Sequence, residues 1–317
     1  MVTGLLTRRG LLTRKGENEM KVYDMHVHAE YGEPDSNALI ERMEASGVYG
    51  GTVFSRRPLE AGGEPRADYG ERMKNVMEWT KGYEGRLFPV LWIHPYEKNI
   101  LDKIRDAAES GICAFKMICD SYYVYEPKVM EMLRLIAELK KPVFFHSGIL
   151  WNGAVSSEYN KPVNWEALLS IPDLQFSMGH CSWPWHDECI ALYGKFINAY
   201  LENPEVSCEM FFDLTPGTPE IYREDLLYKL FHIGYDVPHN IMFGTDSSAA
   251  TYGGEWVKKW ISFDNMIYDK LGVPEEIRKN IYGDNFLRFI GVKEKNFTHR
   301  VQSPDSGVAW RLTDGVS

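Results

Sequence analysis

The sequence predicts one α/β domain folded as a (β/α)8 barrel, and three observations predict it. Eight short apolar runs, rich in branched and aromatic residues, recur along the chain as strands covered on both faces should. Amphipathic helix-like segments separate them, and a histidine, lysine or aspartate sits at or near the end of several runs. Eight such units in 317 residues suit a barrel, which typically takes roughly 250. An open doubly wound sheet is the competing arrangement. Against it, no G-x-G-x-x-G turn follows the first run, and the polar residues end many strands rather than gather at one crevice.

The strands are expected at Val22–His28, Gly50–Ser55, Phe88–His94, Cys113–Ile118, Val143–His146, Gln175–His180, Ser207–Phe212 and Ile241–Thr245. Helical periodicity runs from Ile100 to Ser110, through Ile100, Leu101, Ile104, Ala107 and Ala108. It returns from Met130 to Lys140 through Met132, Leu133, Ile136 and Leu139. Trp256–Leu271 and an extra C-terminal helix, Pro274–Ile290, close the series, with Pro274 placed to start the latter. The domain is therefore drawn over residues 21–292. Before it, Leu5-Leu6-Thr7-Arg8-Arg9-Gly10 is nearly repeated by Leu11-Leu12-Thr13-Arg14-Lys15-Gly16, which reads as a flexible basic extension over 1–20. After it, residues 293–317 read as an irregular polar tail.

Composition excludes several functions. A net charge of −10 argues against nucleic acid or an anionic membrane surface, which call for a basic patch. No apolar stretch reaches the eighteen or so residues of a membrane span. Arg8-Arg9 resembles an export signal, yet no apolar segment follows it. Five cysteines without a regular framework point to reduced thiols and a cytoplasmic setting.

The candidate site is a constellation. His26 and His28 are two apart on one strand, so both side chains take the same face, a pincer for Zn²⁺ or a similar divalent ion. Lys116 lies in the fourth strand, while His146, His180 and Asp246 end the fifth, sixth and eighth. In a barrel the C-terminal strand ends converge on one mouth, so these residues would share a site. A metal hydrolase needs imidazoles to hold the ion, a carboxylate to ligate and shuttle protons, and an open position for water.

This pattern resembles the amidohydrolase superfamily, and within it the amidohydrolase-related (amidohydrolase 2) branch of TIM-barrel hydrolases and decarboxylases similar to aminocarboxymuconate-semialdehyde decarboxylase. The resemblance runs from Val22 to Ile290. It rests on Asp24-Met25-His26-Val27-His28, His146, His180, Gly244-Thr245-Asp246 and Ile281-Tyr282-Gly283-Asp284-Asn285-Phe286. It implies that His26, His28, His146 and Asp246 hold one divalent metal, most often zinc, with His180 polarising a substrate carbonyl. If Lys116 were carboxylated, as in phosphotriesterase-like members, two ions would be held. His146 and His180 would then take the second, and His26, His28 and Asp246 the first. One ion is the favoured reading. The implied activity is hydrolysis of a small amide, ester or lactone by a metal-bound hydroxide, with Asp246 as the proton carrier. Non-oxidative decarboxylation of an aromatic or unsaturated acid is the alternative, and dimers are usual among the decarboxylating relatives. A metal-free lactonase or binding protein on the same barrel would predict gaps in the ligand set, and none is seen.

Substrate clues are thinner. Tyr122, Tyr123, Tyr125, Trp151, Trp183 and Trp185 follow the strands, and as mouth residues they would favour a flat, small-molecule substrate. Each could equally cover a helix end. Arg56 and Arg57 could pair a substrate carboxylate or form a solvated loop pair. His94 could touch substrate, although a hydrogen-bonded structural role comes first for it and for His186. His232 and His239 read as surface residues at the opposite face. Lys116 stays open among catalytic, substrate-binding and structural roles.

Overall fold

The computed structural model describes residues 20–292. The extension expected over 1–20, Met20 apart, and the tail expected over 293–317 lie outside the described residues. Strands form at Tyr23–Asp24 with Val27–His28, Gly50–Phe54, Leu87–Trp92, Ala114–Met117, Val143–Phe145, Gln175–Met178, Glu209–Asp213 and Ile241–Met242. All pair in parallel with their neighbours in sequence order. The eighth strand closes the ring in two steps. Ile241–Met242 pairs with the seventh, and Ser247–Ser248, a few residues later, pairs with Val27–His28. Between these steps Met25 N donates to Phe243 O at 3.0 Å. The fold is a TIM barrel, as the strand count predicts.

Six of the strands end a little earlier than their apolar runs, while the first ends at His28 as expected and the seventh runs one residue further, to Asp213. His94, His146 and His180 stand just beyond the last ladder residues, where the chain turns into the loops of the mouth. Period-two alternation divides the apolar side chains between two layers. Val143 and Phe145 face outward into the layer shared with the helices, while Phe144 points into the barrel. The outer layer includes Val53, Leu91, Phe115 and Phe176 against Leu39, Val76, Trp79, Ile104, Leu133 and Ile136, all nearly inaccessible to solvent. Each such side chain contributes roughly 1.5–3 kcal/mol.

The expected helices appear at Ile100–Glu109, Pro127–Glu138 and Gly254–Lys270. Others form at Ser36–Ala45, Tyr69–Thr80, His186–Glu202 and Glu220–His232. Their starts are written in the sequence. Asp35 accepts from Ala38 N, and Asp68 with Glu71 forms a reciprocal capping box. After the fifth strand the chain departs from the helical expectation and makes 3₁₀ turns, Ser157–Asn160 and Pro162–Ser170.

The last helix departs from expectation only in its middle. It runs unbroken from Glu275 to Phe289, close to the expected Pro274–Ile290, but widens into a π turn over Asn280–Asp284 between Glu275–Lys279 and Asn285–Phe289. The cause is packing. Gly283 lies so close to Lys21 O that a Cβ there would come within 2.7 Å, and Asn285 Nδ2 donates to Pro238 O and Ile241 O. The resulting turn drives Phe286 against Tyr23 and Phe88, and Phe289 against Phe144 and Phe211. These rings plug the N-terminal end of the barrel and leave the C-terminal end for the site. Among the described residues, no helix is long and apolar enough to cross a membrane.

Candidate metal centre

The first and eighth strands place three ligand-type side chains together. His26 Nε2 lies 3.2 Å from His28 Nε2 and 3.5 Å from Asp246 Oδ1, and His28 Nε2 lies 3.1 Å from Asp246 Oδ1. A tetrahedral ion with bonds near 2.0–2.1 Å would set its ligands roughly 3.3 Å apart, so these separations suit one. The donor chemistry suits it as well. His26 Nδ1 is 2.8 Å from Asp213 Oδ2; an ionised carboxylate only accepts, so Nδ1 carries the proton and Nε2 turns a lone pair inward. His28 Nδ1 is buried without a hydrogen-bond partner and faces Glu30 Oε1 at 3.5 Å. The His26 lone pair, the His28 Nε2 and a carboxylate oxygen meet at distances that a small divalent cation would fit. Among the described residues this is the one cluster of three or more His, Cys, Asp or Glu able to hold an ion.

Electrostatics agree. Burial, reinforced by the Lys116 ammonium, pushes the His26 imidazole down to about 4, so it is neutral and free to ligate. Burial likewise lowers Lys116 to about 8 against the pull of Asp213, Asp246 and Glu30. Its Nζ is 3.4 Å from His26 Nε2 and 5.0 Å above the Phe54 ring. For Asp213 burial acts upward, but His26 and the Thr215 N–H, at 2.7 Å, hold it down to about 2. For Asp246 burial acts upward too, yet the hydrogen bond from His28 and the neighbouring imidazoles of His26 and His180 keep it well below the usual carboxylate range.

His146 and His180 adjoin the trio: their ring centroids are 5.1 Å apart, and that of His180 lies 5.4 Å from that of His26. His146 stands outside the trio because its Nε2 is engaged by Ile149 O at 3.1 Å, which leaves Nδ1 as its free nitrogen. His180 has the opposite tautomer: Nδ1 faces Thr215 O at 3.2 Å, so Nε2 is the free lone pair. Backbone geometry at these strand ends is unusual. His180 and Asp246 are both left-handed, with φ of 55° and 58°, conformations that cost non-glycine residues about 1–3 kcal/mol and cluster at functional sites. Gly217 makes room for the His180 ring, since a Cβ there would lie 2.6 Å from it.

These groups form one side of a cavity of about 500 Å³. Lys116, His146, His180, Trp151 and Trp183 line it with the trio. Trp151 and Trp183 lie nearly parallel at the mouth, 6.1 Å between centroids and 15° between planes, with Trp151 79% exposed. Two expected substrate residues are not among the lining. Arg56 gives way to Arg57, whose Nε lies 3.0 Å from Glu30 Oε1 and whose guanidinium packs 5.0 Å over Trp92. His94 is buried, 3.7 Å from Asp120 Oδ1 and edge-on to the Tyr122 ring. His186 is buried with Nδ1 at Cys181 O, while His232 and His239 are exposed. Tyr122, Tyr123, Tyr125 and Trp185 do not line the cavity.

Sequence reasoning overlooked Asp213 and Glu30. Asp213 has the same signature as its partners, an acid closing the apolar run Met210-Phe211-Phe212, one residue past the expected strand end at Phe212. Glu30 lay two residues past His28, in a loop without a pattern to mark it.

Known structures share the architecture. An uncharacterised TIM-barrel protein from Bordetella bronchiseptica is 15% identical, with a TM-score of 0.63 over 86% of this chain and 98% of its own. A zinc-bound amidohydrolase from Burkholderia multivorans is 13% identical (TM-score 0.58, 86% and 99% covered). A 2,6-dihydroxybenzoate decarboxylase from Rhizobium is 12% identical (TM-score 0.58, 86% and 99% covered). No curated protein sequence matches. An amidohydrolase family profile matches residues 23–292, nearly all of the described chain, and the chain therefore belongs to the amidohydrolase family.

Proposed function

We propose that this protein is a metal-dependent hydrolase that cleaves an amide, ester or lactone of a small substrate. The observation that carries the reading is the approach of His26 Nε2, His28 Nε2 and Asp246 Oδ1 at tetrahedral separations within the cavity. A bound divalent ion, with zinc favoured by two imidazoles and a carboxylate, would supply a Lewis acid that polarises a carbonyl and acidifies water.

The chain's own groups account for the rest. Asp246 is anionic and 37% exposed to the cavity, which equips it to accept a proton from water and deliver it to a leaving group. His180 has one nitrogen engaged by Thr215 O, so steadying an oxyanion through Nε2 requires its doubly protonated form. His146, with Nδ1 as its free nitrogen, is the further ligand that the family resemblance adds. Lys116, with an amine that is partly neutral near neutral pH, is the group that could be carboxylated to join a second ion.

A second reading is favoured by a specific pair of features. The Trp151–Trp183 platform offers a face for a ring, and Arg57 offers a cation for a carboxylate. An aromatic acid held that way could lose CO₂ instead. Metal content per chain, measured by inductively coupled plasma mass spectrometry on protein purified without chelator, tests the common basis. About one ion per chain fits the mononuclear reading, about two the carboxylated Lys116, and none with no uptake on addition refutes both. Carbon dioxide release against acid release then separates the two reactions.

A further inference from the structure

Asp24 is completely buried, lies outside the cavity, and has no part in the chemistry above. Its carboxylate nevertheless gathers four donors. Oδ1 accepts from the backbone N–H groups of His26 and Thr245, each at 3.0 Å. Oδ2 accepts from Thr245 Oγ1 at 2.5 Å and from Tyr252 Oη at 2.8 Å. A carboxylate offers about four acceptor positions, and all are used.

The place of this group in the barrel gives it meaning. The eighth strand leaves the seventh after Met242 and does not pair with the first until Ser247. Across that gap the seam is held by Met25 N to Phe243 O and by the bonds to Asp24. On the first strand Asp24 grips the backbone of His26 itself. On the eighth it grips Thr245, the residue before Asp246. Thr245 is held further by Trp256 Nε1 on its carbonyl and by Ser247 Oγ on its hydroxyl. Asp246 needs such support, because its left-handed backbone persists only where the surroundings over-determine it.

We propose that Asp24 is a positioning residue for the metal centre: by joining the first strand to the turn after the eighth, its carboxylate sets the spacing of His26 and Asp246. This rests on the reading that the trio binds a divalent ion. Were Asp24 only a staple for the fold, its loss would lower stability without altering how the ion is held.

The test compares wild type with Asp24→Asn and Tyr252→Phe, using Co²⁺ as the probe. Asn keeps an oxygen for the two backbone donors but faces the two hydroxyls with an amide; Phe removes a single donor. Co²⁺ affinity by chelator competition, the Co²⁺ visible spectrum, and amide exchange of the metal-free proteins are measured. Asp24→Asn is expected to weaken Co²⁺ by about tenfold or more, in the range typical of groups supporting ligands. It should also shift the ligand-field bands and speed exchange in peptides spanning His26 and Thr245. Tyr252→Phe should weaken Co²⁺ about two- to threefold. A folded Asp24→Asn that binds Co²⁺ within twofold of wild type, with the same spectrum, overturns the proposal. If that variant does not fold, unchanged affinity in Tyr252→Phe overturns it. A wild type that takes up no Co²⁺ defeats the metal reading itself, and the exchange measurement still reports separately on whether Asp24 holds the seam.

Discussion

Replacing Asp213 by Asn should damage the metal centre far more than a near-isosteric change suggests. The two oxygens of Asp213 serve two donors: Oδ1 takes the Thr215 N–H at 2.7 Å and Oδ2 takes His26 Nδ1–H at 2.8 Å. Asn has one oxygen, so whichever way the amide turns, its NH2 meets one of these groups. Turned toward Thr215, it breaks the backbone bond and leaves His26 with a neutral acceptor. Exchanging a charged acceptor for a neutral one costs about 1–1.5 kcal/mol, close to a tenfold loss of metal affinity. Turned toward His26, it forces the opposite tautomer, and Nε2 then presents a hydrogen to the ion instead of a lone pair. That outcome removes a ligand and puts the loss near a hundredfold, the upper end for outer-shell partners of metal-bound histidine. Competition for Zn²⁺ against a chromophoric chelator at fixed pH measures it, with urea unfolding run in parallel to separate stability from affinity. Affinity within twofold of wild type in a folded variant would refute the role assigned to Asp213.

Other consequences can be checked independently. The Arg223–Asp264 pair is bidentate, with both contacts at 2.8 Å and both side chains buried; Asp264→Ala strands the guanidinium and should cost about 3–5 kcal/mol in urea unfolding, whereas a loss below about 1 kcal/mol would contradict that burial. Trp151→Ala should raise KM for aromatic substrates by two- to twelvefold, from a stacking energy of roughly 0.5–1.5 kcal/mol; an equal rise for aliphatic esters would argue against a ring platform. Arg57→Ala should raise KM for carboxylated substrates while Arg56→Ala leaves it nearly unchanged, and the reverse pattern would place the cation wrongly. Burial pushes the thiols of Cys113 and Cys189 up to about 12 and those of Cys119, Cys181 and Cys208 upward as well. Because a raised pKa withholds the thiolate, native protein near pH 7.5 should resist alkylation, with reactivity growing only as pH climbs toward those values. Rapid labelling of Cys189 at neutral pH would contradict it.

Much of this molecule could be read without coordinates. Strand positions follow from apolar runs whose burial on both faces leaves little choice of residue, and the barrel follows from their number and spacing. His26, His28 and Asp246 could be paired in advance because a strand's period of two and the convergence of strand ends are properties of the backbone, independent of side-chain detail. His146 was legible as a mouth residue, but its engagement with Ile149 O depends on a loop path that no periodicity encodes.

What only the tertiary structure decided is which groups support the centre and which merely resemble site residues. Arg56 and Arg57 are adjacent and chemically identical, and their separation between flank and cavity comes from how one loop packs against Glu30 and Trp92. Asp24 was visible as part of a motif, yet its bonds reach Thr245 and Tyr252, more than 200 residues away. The sequence by itself determined the barrel and the candidate ligands, since both arise from local pattern and strand geometry. The closing of the first strand on the eighth decided their spacing and support, because those contacts form only when the two ends of the sheet meet.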